Sequence, residues 1–186
     1  MSDLSSRKVL MLATHGYEEV ELFGPRQLLL DAGVRVKLAS PDKKAIRGVV
    51  WNDAAKTSIA SEKTTEPDLL FSEVEPEDFD ALVLPGGVVN PDILRMNSEA
   101  IAIVRAFAES GKTVAAICHA PWLLIEANAI RGRRTTGWYS VRTDLANAGS
   151  QVVDQEVVVD GNIITSRMPS DVPAFTKAVI EALSRH

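Results

Sequence analysis

The chain has 186 residues, 46% of them hydrophobic, and this length and composition predict one domain, residues 1–186, around a single buried core. The net charge is −5 and the Lys and Arg residues are scattered, so nucleic acid is not an expected partner. No stretch approaches the roughly 18 uninterrupted apolar residues of a membrane span, and the single cysteine forms no internal disulfide, so we expect a cytoplasmic protein with no membrane partner.

The first part of the chain follows the order strand, helix, strand. Residues 8–14 form a continuous apolar run of strand length, and residues 17–32 carry apolar side chains at helical spacing, with a kink or break expected at Pro25. Residues 34–40 predict a second strand. Residues 41–77 mix short apolar pieces with Ser, Thr, Lys and Glu, which indicates hairpins or an edge of the sheet.

The rest of the chain alternates buried strands with helices. Ser98 is expected to cap one helix and Gly111 to end it, and paired strands are expected around a turn at Asp160-Gly161. Strands are predicted over 79–87, 112–118, 133–138 and 151–167, and helices over 98–111, 119–130, 140–149 and 169–185. This alternation predicts a doubly wound α/β sandwich, in which sites lie outside the carboxyl ends of the strands.

The only cysteine, Cys118, ends the predicted strand 112–118 at the turn into a helix. The pattern Ala116-Ile117-Cys118-His119-Ala120 puts small residues two positions away on both sides, as in a nucleophile elbow with a strained backbone. Unpaired N–H groups at the start of the helix are expected to lower the thiol pKa toward neutrality. We therefore predict a reactive nucleophile; the alternative is a small, buried, inert side chain.

His119 is predicted to serve Cys118 as an acid or base, because the only other histidines are His15 and His186. A surface residue at the start of a helix is the alternative for His119. His15, at the end of the first strand, is a candidate for the wall of a substrate pocket. A Cys-His pair usually needs a third group to orient the imidazole, and Asp92 is our candidate at the same sheet edge. An acid at a helix N-terminus is the alternative for Asp92.

A row of acids, Glu18, Glu19 and Glu21, follows the first strand. Glu18 and Glu21 lie three positions apart, on one helix face, and one of them is expected to lie beside the sulfur, either protonated or relaying a proton. The alternative is an acid row favoured only by the helix dipole.

Gly86 and Gly87 permit close approach of the backbone. The N–H groups of Gly87 and His119 are therefore predicted to form an oxyanion hole, with an ordinary loop turn as the alternative. The sequence contains neither a metal-ligand spacing nor a phosphate-binding loop, so we expect no metal and no cofactor.

Several segments together are characteristic of one family. They are "YEEVEL" after the first strand, "FDALVLPGG" with "NPDILR", "AAICHAPWLL", "TTGWYSVRTDLANAG", and "EVVVDGNIITSR" with "PSDVPAF". Over nearly its whole length the sequence resembles the PfpI intracellular protease family, in the DJ/PfpI superfamily of class I glutamine amidotransferase-like domains. The resemblance implies a flavodoxin-like sandwich that associates into dimers or hexamers.

The resemblance also implies roles for particular residues. Cys118 is the nucleophile, and Cys118 and His119 are completed by an acid from a neighbouring subunit, which maps onto Asp92; parts of the family have Glu at that position. A glutamate after the first strand, Glu18 or Glu21, lies against the sulfur. Relatives line the pocket with an aromatic residue, and Trp138 occupies that place. The later His-x-Glu motif of the amidotransferase branch is absent, which disfavours glutamine hydrolysis for a synthase partner.

The activities that the resemblance implies all use a thiolate that attacks a carbonyl group. They are peptidase or amidase action, cofactor-free conversion of methylglyoxal to lactate, and deglycation of early carbonyl adducts, with a role in stress protection. Two alternatives remain for the same thiol. One is a non-catalytic redox sensor in which Cys118 oxidises to sulfinic acid, and the other is a structural subunit with an inert cysteine.

Overall fold

The computed structural model describes residues 3–185, in which strands and helices alternate along the chain. The strands are β1 (Lys8–Leu12), β2 (Arg35–Ser40), β3 (Ile46–Asn52), β4 (Thr57–Thr65), β5 (Leu69–Leu70), β6 (Ala81–Leu84), β7 (Thr113–Ile117), β8 (Arg134–Thr135), β9 (Gln151–Val152), β10 (Val157–Asp160) and β11 (Ile163–Ser166). The α-helices are α1 (Glu19–Asp31), α2 (Val89–Arg95), α3 (Ser98–Glu109), α4 (Pro121–Glu126), α5 (Arg142–Asn147) and α6 (Val172–Leu183).

Seven strands form the central sheet, in the order β10-β11-β7-β6-β1-β2-β5. All neighbouring strands are parallel except β10, which runs antiparallel to β11 at one edge. The chain passes from β1 outward through β2 to β5, and then returns to build β6, β7 and β11 on the other side of β1. The predicted doubly wound, flavodoxin-like arrangement is therefore confirmed, with its topological switch point between β1 and β6.

Helices cover both faces of this sheet. Successive β1 side chains point to opposite faces: Leu10 packs in the same core as Phe107 of α3, whereas Met11 packs in the same core as Phe175 of α6. Burial on both faces explains why residues 8–14 form an unbroken apolar run instead of an alternating one. None of the helices described has the length and apolar character needed to cross a membrane.

Helix α1 runs through Pro25 as one element, so the chain does not break there, and Gly24 beside it packs closely against Val172 of α6. A Cβ atom at Gly24 would lie 2.8 Å from the Val172 side chain. The N-cap of α3 is Asn97 and not Ser98, because the Asn97 side chain accepts the N–H of Ala100 at 2.9 Å.

The segment 41–77 contains an antiparallel hairpin, β3 and β4, that lies outside the central sheet. Its position is fixed by the loop after β1, since the Val49 N–H donates to the Tyr17 carbonyl at 2.7 Å. Gly48 allows this approach, because a Cβ atom there would lie 2.6 Å from the Tyr17 ring. The hairpin is therefore held over the carboxyl end of β1.

The loop after β6 also packs tightly against the loop after β1. Gly87 has a φ of +80°, and a Cβ atom at Gly87 would collide with the carbonyl oxygen of Gly16. Gly111 has a similar φ of +76° but nothing within 4 Å of the equivalent position. Alanine at either position would be strained by the positive φ, but only at Gly87 would it also collide with a neighbouring atom.

We expect Gly111→Ala to lower the free energy of unfolding by about 1 kcal/mol, because alanine is strained at positive φ. Gly87→Ala should lower it by a further 1–3 kcal/mol or so, because the methyl group must displace the Gly16 loop. Urea unfolding of both variants measures the difference. Equal losses of stability would contradict the tight packing of the two loops.

Candidate active site

Three neighbouring strands, β1, β6 and β7, bring the predicted site residues to one edge of the sheet. The loop after β1 carries Glu18, the loop after β6 carries Gly87, and Cys118 directly follows β7. Because these strands are parallel and adjacent, their carboxyl ends lie together, as expected for a site in such a fold.

Cys118 lies on a sharp bend with a φ of +65°, a region that side chains other than glycine rarely adopt. The bend is held by backbone hydrogen bonds on both sides: the Cys118 N–H donates to the Ser166 carbonyl at 3.1 Å, and the Cys118 carbonyl accepts the Trp138 N–H at 2.9 Å. This strained geometry between a strand and a helix is that of the nucleophile elbow which the sequence predicts.

Glu21, and not Glu18, is the glutamate that lies against the thiol. Its Oε2 accepts the Gly86 N–H at 2.9 Å, and a Cβ atom at Gly86 would lie 2.5 Å from that oxygen and 2.6 Å from the Cys118 Cβ. The other oxygen, Oε1, is buried without a hydrogen-bond partner among the described residues. Complete burial, followed by the charge of Glu18, raises the pKa of Glu21 to about 8.

The pKa of the Cys118 thiol is raised, which corrects the prediction of a value near neutrality. Burial is the largest cause, since Cys118 is only 5% exposed, and the negative charge of Glu21 is the next. The backbone N–H groups of Gly87 and His119 act in the opposite direction by donating toward the sulfur. Because Glu21 and Cys118 each disfavour the other's negative charge, a thiolate forms most readily when Glu21 carries a proton.

His119 lies between the sulfur and a serine hydroxyl. Its Nδ1 is 3.1 Å from the Cys118 Sγ, and its Nε2 is 3.2 Å from the Ser140 Oγ. The imidazole stacks on Trp138, with ring centroids 5.8 Å apart, and meets the edge of Trp122 at 5.3 Å. Burial among these groups lowers the pKa of His119 to about 4, so the imidazole is neutral at pH 7.

Asp92 lies on α2 as an exposed residue, and within the chain it makes no hydrogen bond to His119. Ser140 takes the position of the third group instead. Apolar side chains are also exposed on α2 and at its end. The most exposed of them is Met96, which directly follows the helix and is 75% exposed. Within one chain, Asp92 therefore does not complete the Cys118–His119 pair.

A cavity of about 220 Å³ opens beside the thiol. Its walls come from six separate parts of the chain and are formed by Glu18, Trp51, Ser58, Gly87, Val88, Cys118, His119, Trp138, Ser140 and Pro169. Trp138, which the resemblance assigned to the pocket, is therefore one of the residues that line this cavity. Among residues 3–185, no three His, Cys, Asp or Glu side chains converge as a set of metal ligands.

His15 does not line this cavity, contrary to the prediction. It is exposed, and its Nδ1 accepts the N–H of Arg47, a residue of β3. His186 lies outside the described residues.

Three residues that line the cavity, Trp51, Ser58 and Ser140, were not predicted from the sequence. Trp51 and Ser58 come from the hairpin, and their only signal in the sequence was one tryptophan within a mostly polar segment. Glu18 links this hairpin to the site: its Oε1 accepts the Trp51 N–H at 3.2 Å. Burial, together with the nearby charge of Glu19, raises the pKa of Glu18 to about 7. The lining of the cavity thus includes a carboxyl group as well as aromatic residues.

The raised pKa of Glu21 gives a prediction for stability. The folded protein keeps this proton up to about pH 8, whereas a glutamate at its ordinary value of 4.5 loses it in the unfolded chain. Between these two pH values the buried acid therefore lowers the free energy of unfolding by up to about 1.4 kcal/mol per pH unit. Glu21→Gln keeps an oxygen for the Gly86 N–H and removes this dependence.

We expect the free energy of unfolding of Glu21→Gln, relative to the wild type, to increase as the pH rises from 4.5 to 8. Urea denaturation at several pH values measures it, and Glu62→Gln, at an exposed position on β4, is the matched control. A difference between Glu21→Gln and wild type that does not change with pH would mean that Glu21 is ionised in the folded protein.

Comparison with known proteins identifies relatives along the whole chain. The sequence matches the DJ-1/PfpI family over residues 7–182. A Pyrococcus furiosus protein named "Deglycase PfpI" is 40% identical over 176 residues, which cover 95% of this chain and 99% of that protein. A Bacillus subtilis protein named "Putative cysteine protease YraA" is 38% identical over 178 residues, which cover 96% of this chain and 99% of that protein.

The fold is shared with solved structures as well. The crystal structure of Drosophila melanogaster DJ-1beta has a TM-score of 0.83 and 29% sequence identity, and the match covers 97% of this chain and 92% of that one. The family match, the relatives and the shared fold agree with the resemblance seen in the sequence motifs, and the chain belongs to the DJ-1/PfpI family.

Proposed function

We propose that this protein is a cofactor-independent enzyme in which Cys118 attacks the carbonyl carbon of a small 2-oxoaldehyde, or of the adducts that such aldehydes form with amines. One observation carries the proposal: the sulfur, on its positive-φ bend, lines a small cavity and lies 3.1 Å from the Nδ1 of the buried His119. Relatives named deglycase and cysteine protease support an enzymatic role.

The size of the cavity favours a small substrate over a peptide. Its volume is about 220 Å³, and part of its wall is formed by Trp138 and by Trp51 of the hairpin, whose indole rings meet edge to face at 5.5 Å. A peptidase or amidase would use the same thiol attack, but it would also need an open groove for the chain on both sides of the scissile bond.

In the first step the Cys118 sulfur forms a bond to the aldehyde carbon of methylglyoxal. The neutral imidazole of His119, whose Nδ1 lies 3.1 Å from the sulfur, accepts the thiol proton and returns it to the carbonyl oxygen, while Glu21, which keeps its own proton up to about pH 8, adds no opposing charge. The carbonyl π electrons move to oxygen, where the N–H groups of Gly87 and His119 stabilise the negative charge. The product is a hemithioacetal.

In the second step the hydrogen on the former aldehyde carbon moves to the neighbouring ketone carbon as a proton, through an enediol. His119 carries this proton, since its Nδ1 lies 3.1 Å from the sulfur. The aldehyde carbon is oxidised to a thioester and the ketone carbon is reduced to an alcohol. Water then hydrolyses the thioester to lactate and returns the thiol, so no external oxidant is needed.

A second function rests on the same N–H groups. Oxidation of Cys118 by peroxide to sulfinic acid would place negative oxygens where Gly87 and His119 donate, and no second cysteine is present to form a disulfide. A redox sensor would show this oxidation without turnover. Either chemistry would suit a protein that protects the cell under carbonyl or oxidative stress.

We also propose that the chain assembles into a dimer or hexamer, and that a partner subunit supplies Asp92 to complete the site. Asp92 shares α2 with exposed apolar side chains, and the residue that precedes this helix, Val88, lines the cavity. An interface on this helix would cover the apolar side chains and bring a second copy of the chain to the mouth of the cavity.

We expect Cys118→Ser to abolish the formation of lactate from methylglyoxal, because a hydroxyl group is a far weaker nucleophile than a thiolate. His15→Gln, outside the cavity, is the control and should keep wild-type activity. An enzymatic assay of lactate measures both variants. Wild-type turnover by Cys118→Ser would refute the proposal, whereas cleavage of a peptide amide without lactate formation would favour the peptidase.

The shared site gives a second prediction. Cys118→Ser and Asp92→Asn should each be strongly impaired alone, but subunits mixed after dissociation should recover roughly a quarter of wild-type activity if they pair at random as dimers. In a mixed dimer one site would have both Cys118 and the partner's acid intact. No recovery, despite exchange of subunits verified by mass spectrometry, would mean that the acid does not act across an interface.

A further inference from the structure

The charges around the cavity all have one sign. Among residues 3–185, its lining includes three titratable residues, Glu18, Cys118 and His119, and no Lys or Arg. His119 is neutral because burial lowers its pKa to about 4. Any full charge in the cavity at neutral pH is therefore negative and comes from Glu18 or from the thiolate.

Glu18 is held so that one of its oxygens is left for a ligand. Its Oε1 accepts the Trp51 N–H, while Oε2 accepts no hydrogen bond from the described residues. The backbone of Glu18 is fixed as well, since its N–H donates to the Gly86 carbonyl at 3.4 Å. The carboxyl group is thus a preorganised acceptor with one oxygen unused.

The walls of the cavity add to this preference. Trp51 and Trp138 line the cavity, and the face of an indole ring carries the negative side of its quadrupole, which attracts cations and repels anions. An anionic group in the cavity would meet the Glu18 carboxylate and indole rings in a partly desolvated space, with no cationic side chain to compensate.

We propose that Glu18 is a specificity-determining residue: it admits carbonyl compounds that are uncharged or positively charged, and excludes those that carry a carboxylate or phosphate within a few bonds of the carbonyl group. This inference rests on the proposed function, since it concerns the substrates of the same cavity. It predicts that the amine adducts of 2-oxoaldehydes bind well and that oxoacids bind poorly.

The test compares 4,5-dioxopentanoate with its methyl ester, in which one added methyl group removes the negative charge. Both are 2-oxoaldehydes, and both are assayed at pH 8, above the pKa of about 7 of Glu18. Two readouts are taken: kcat/KM for turnover, and the concentration that half-protects Cys118 from iodoacetamide. The second readout reports binding even where no turnover occurs.

For the wild type we expect the ester to be favoured over the acid by about tenfold or more in both readouts. Glu18→Gln keeps an oxygen for the Trp51 N–H and should reduce this ratio by about tenfold. Glu19→Gln removes the same charge one residue away, where Glu19 pairs with Lys63 at 2.6 Å outside the cavity, and it should leave the ratio unchanged.

The outcomes separate the two ideas. If the ester protects Cys118 better than the acid in the wild type, and this preference is lost only in Glu18→Gln, the charge selection stands even when neither compound is turned over. That combination would refute the proposed reaction alone. An equal ratio in the wild type and in Glu18→Gln would overturn the role of Glu18, whatever the turnover.

Discussion

The packing of the Glu21 carboxyl group against the Cys118 thiol, with Gly86 between them, is the constraint on which this site depends. A side chain at Gly86 would collide with both groups, and the carboxyl group is completely buried. Two acids in one desolvated space cannot both ionise without a large cost in free energy, so one of them keeps its proton when the other is charged. The pKa of the thiol is therefore set by its burial and by Glu21, which together outweigh the N–H groups of Gly87 and His119.

The sequence was sufficient to predict the sheet and the elbow. Continuous apolar runs such as 8–14 indicate strands buried on both faces, and the small residues around Cys118 indicate the bend that the φ of +65° now describes. Spacing alone did not distinguish Glu18 from Glu21, because both lie near the first turn of the same helix. Their difference comes from tertiary packing: one glutamate faces the cavity, and the other faces the thiol.

The rest of the site could not be predicted from the sequence, because it depends on contacts between distant segments. The hairpin supplies Trp51 and Ser58 only because Val49 and Gly48 dock on Tyr17, and a short polar strand gives no sign of where it will dock. The prediction of a lowered thiol pKa was wrong for a related reason. Burial of Cys118 and the charge of Glu21 raise this pKa by more than the N–H groups of Gly87 and His119 lower it.

The most direct test of this account is the absorbance of the thiolate near 240 nm, followed as a function of pH in the wild type and in Glu21→Gln. The account predicts that the wild-type thiol completes its ionisation only at high pH, because an ionised Glu21 opposes it. In Glu21→Gln that repulsion is absent, so ionisation should be complete at a lower pH. Identical titrations of Cys118 in the two proteins would contradict the coupling between the thiol and the carboxyl group.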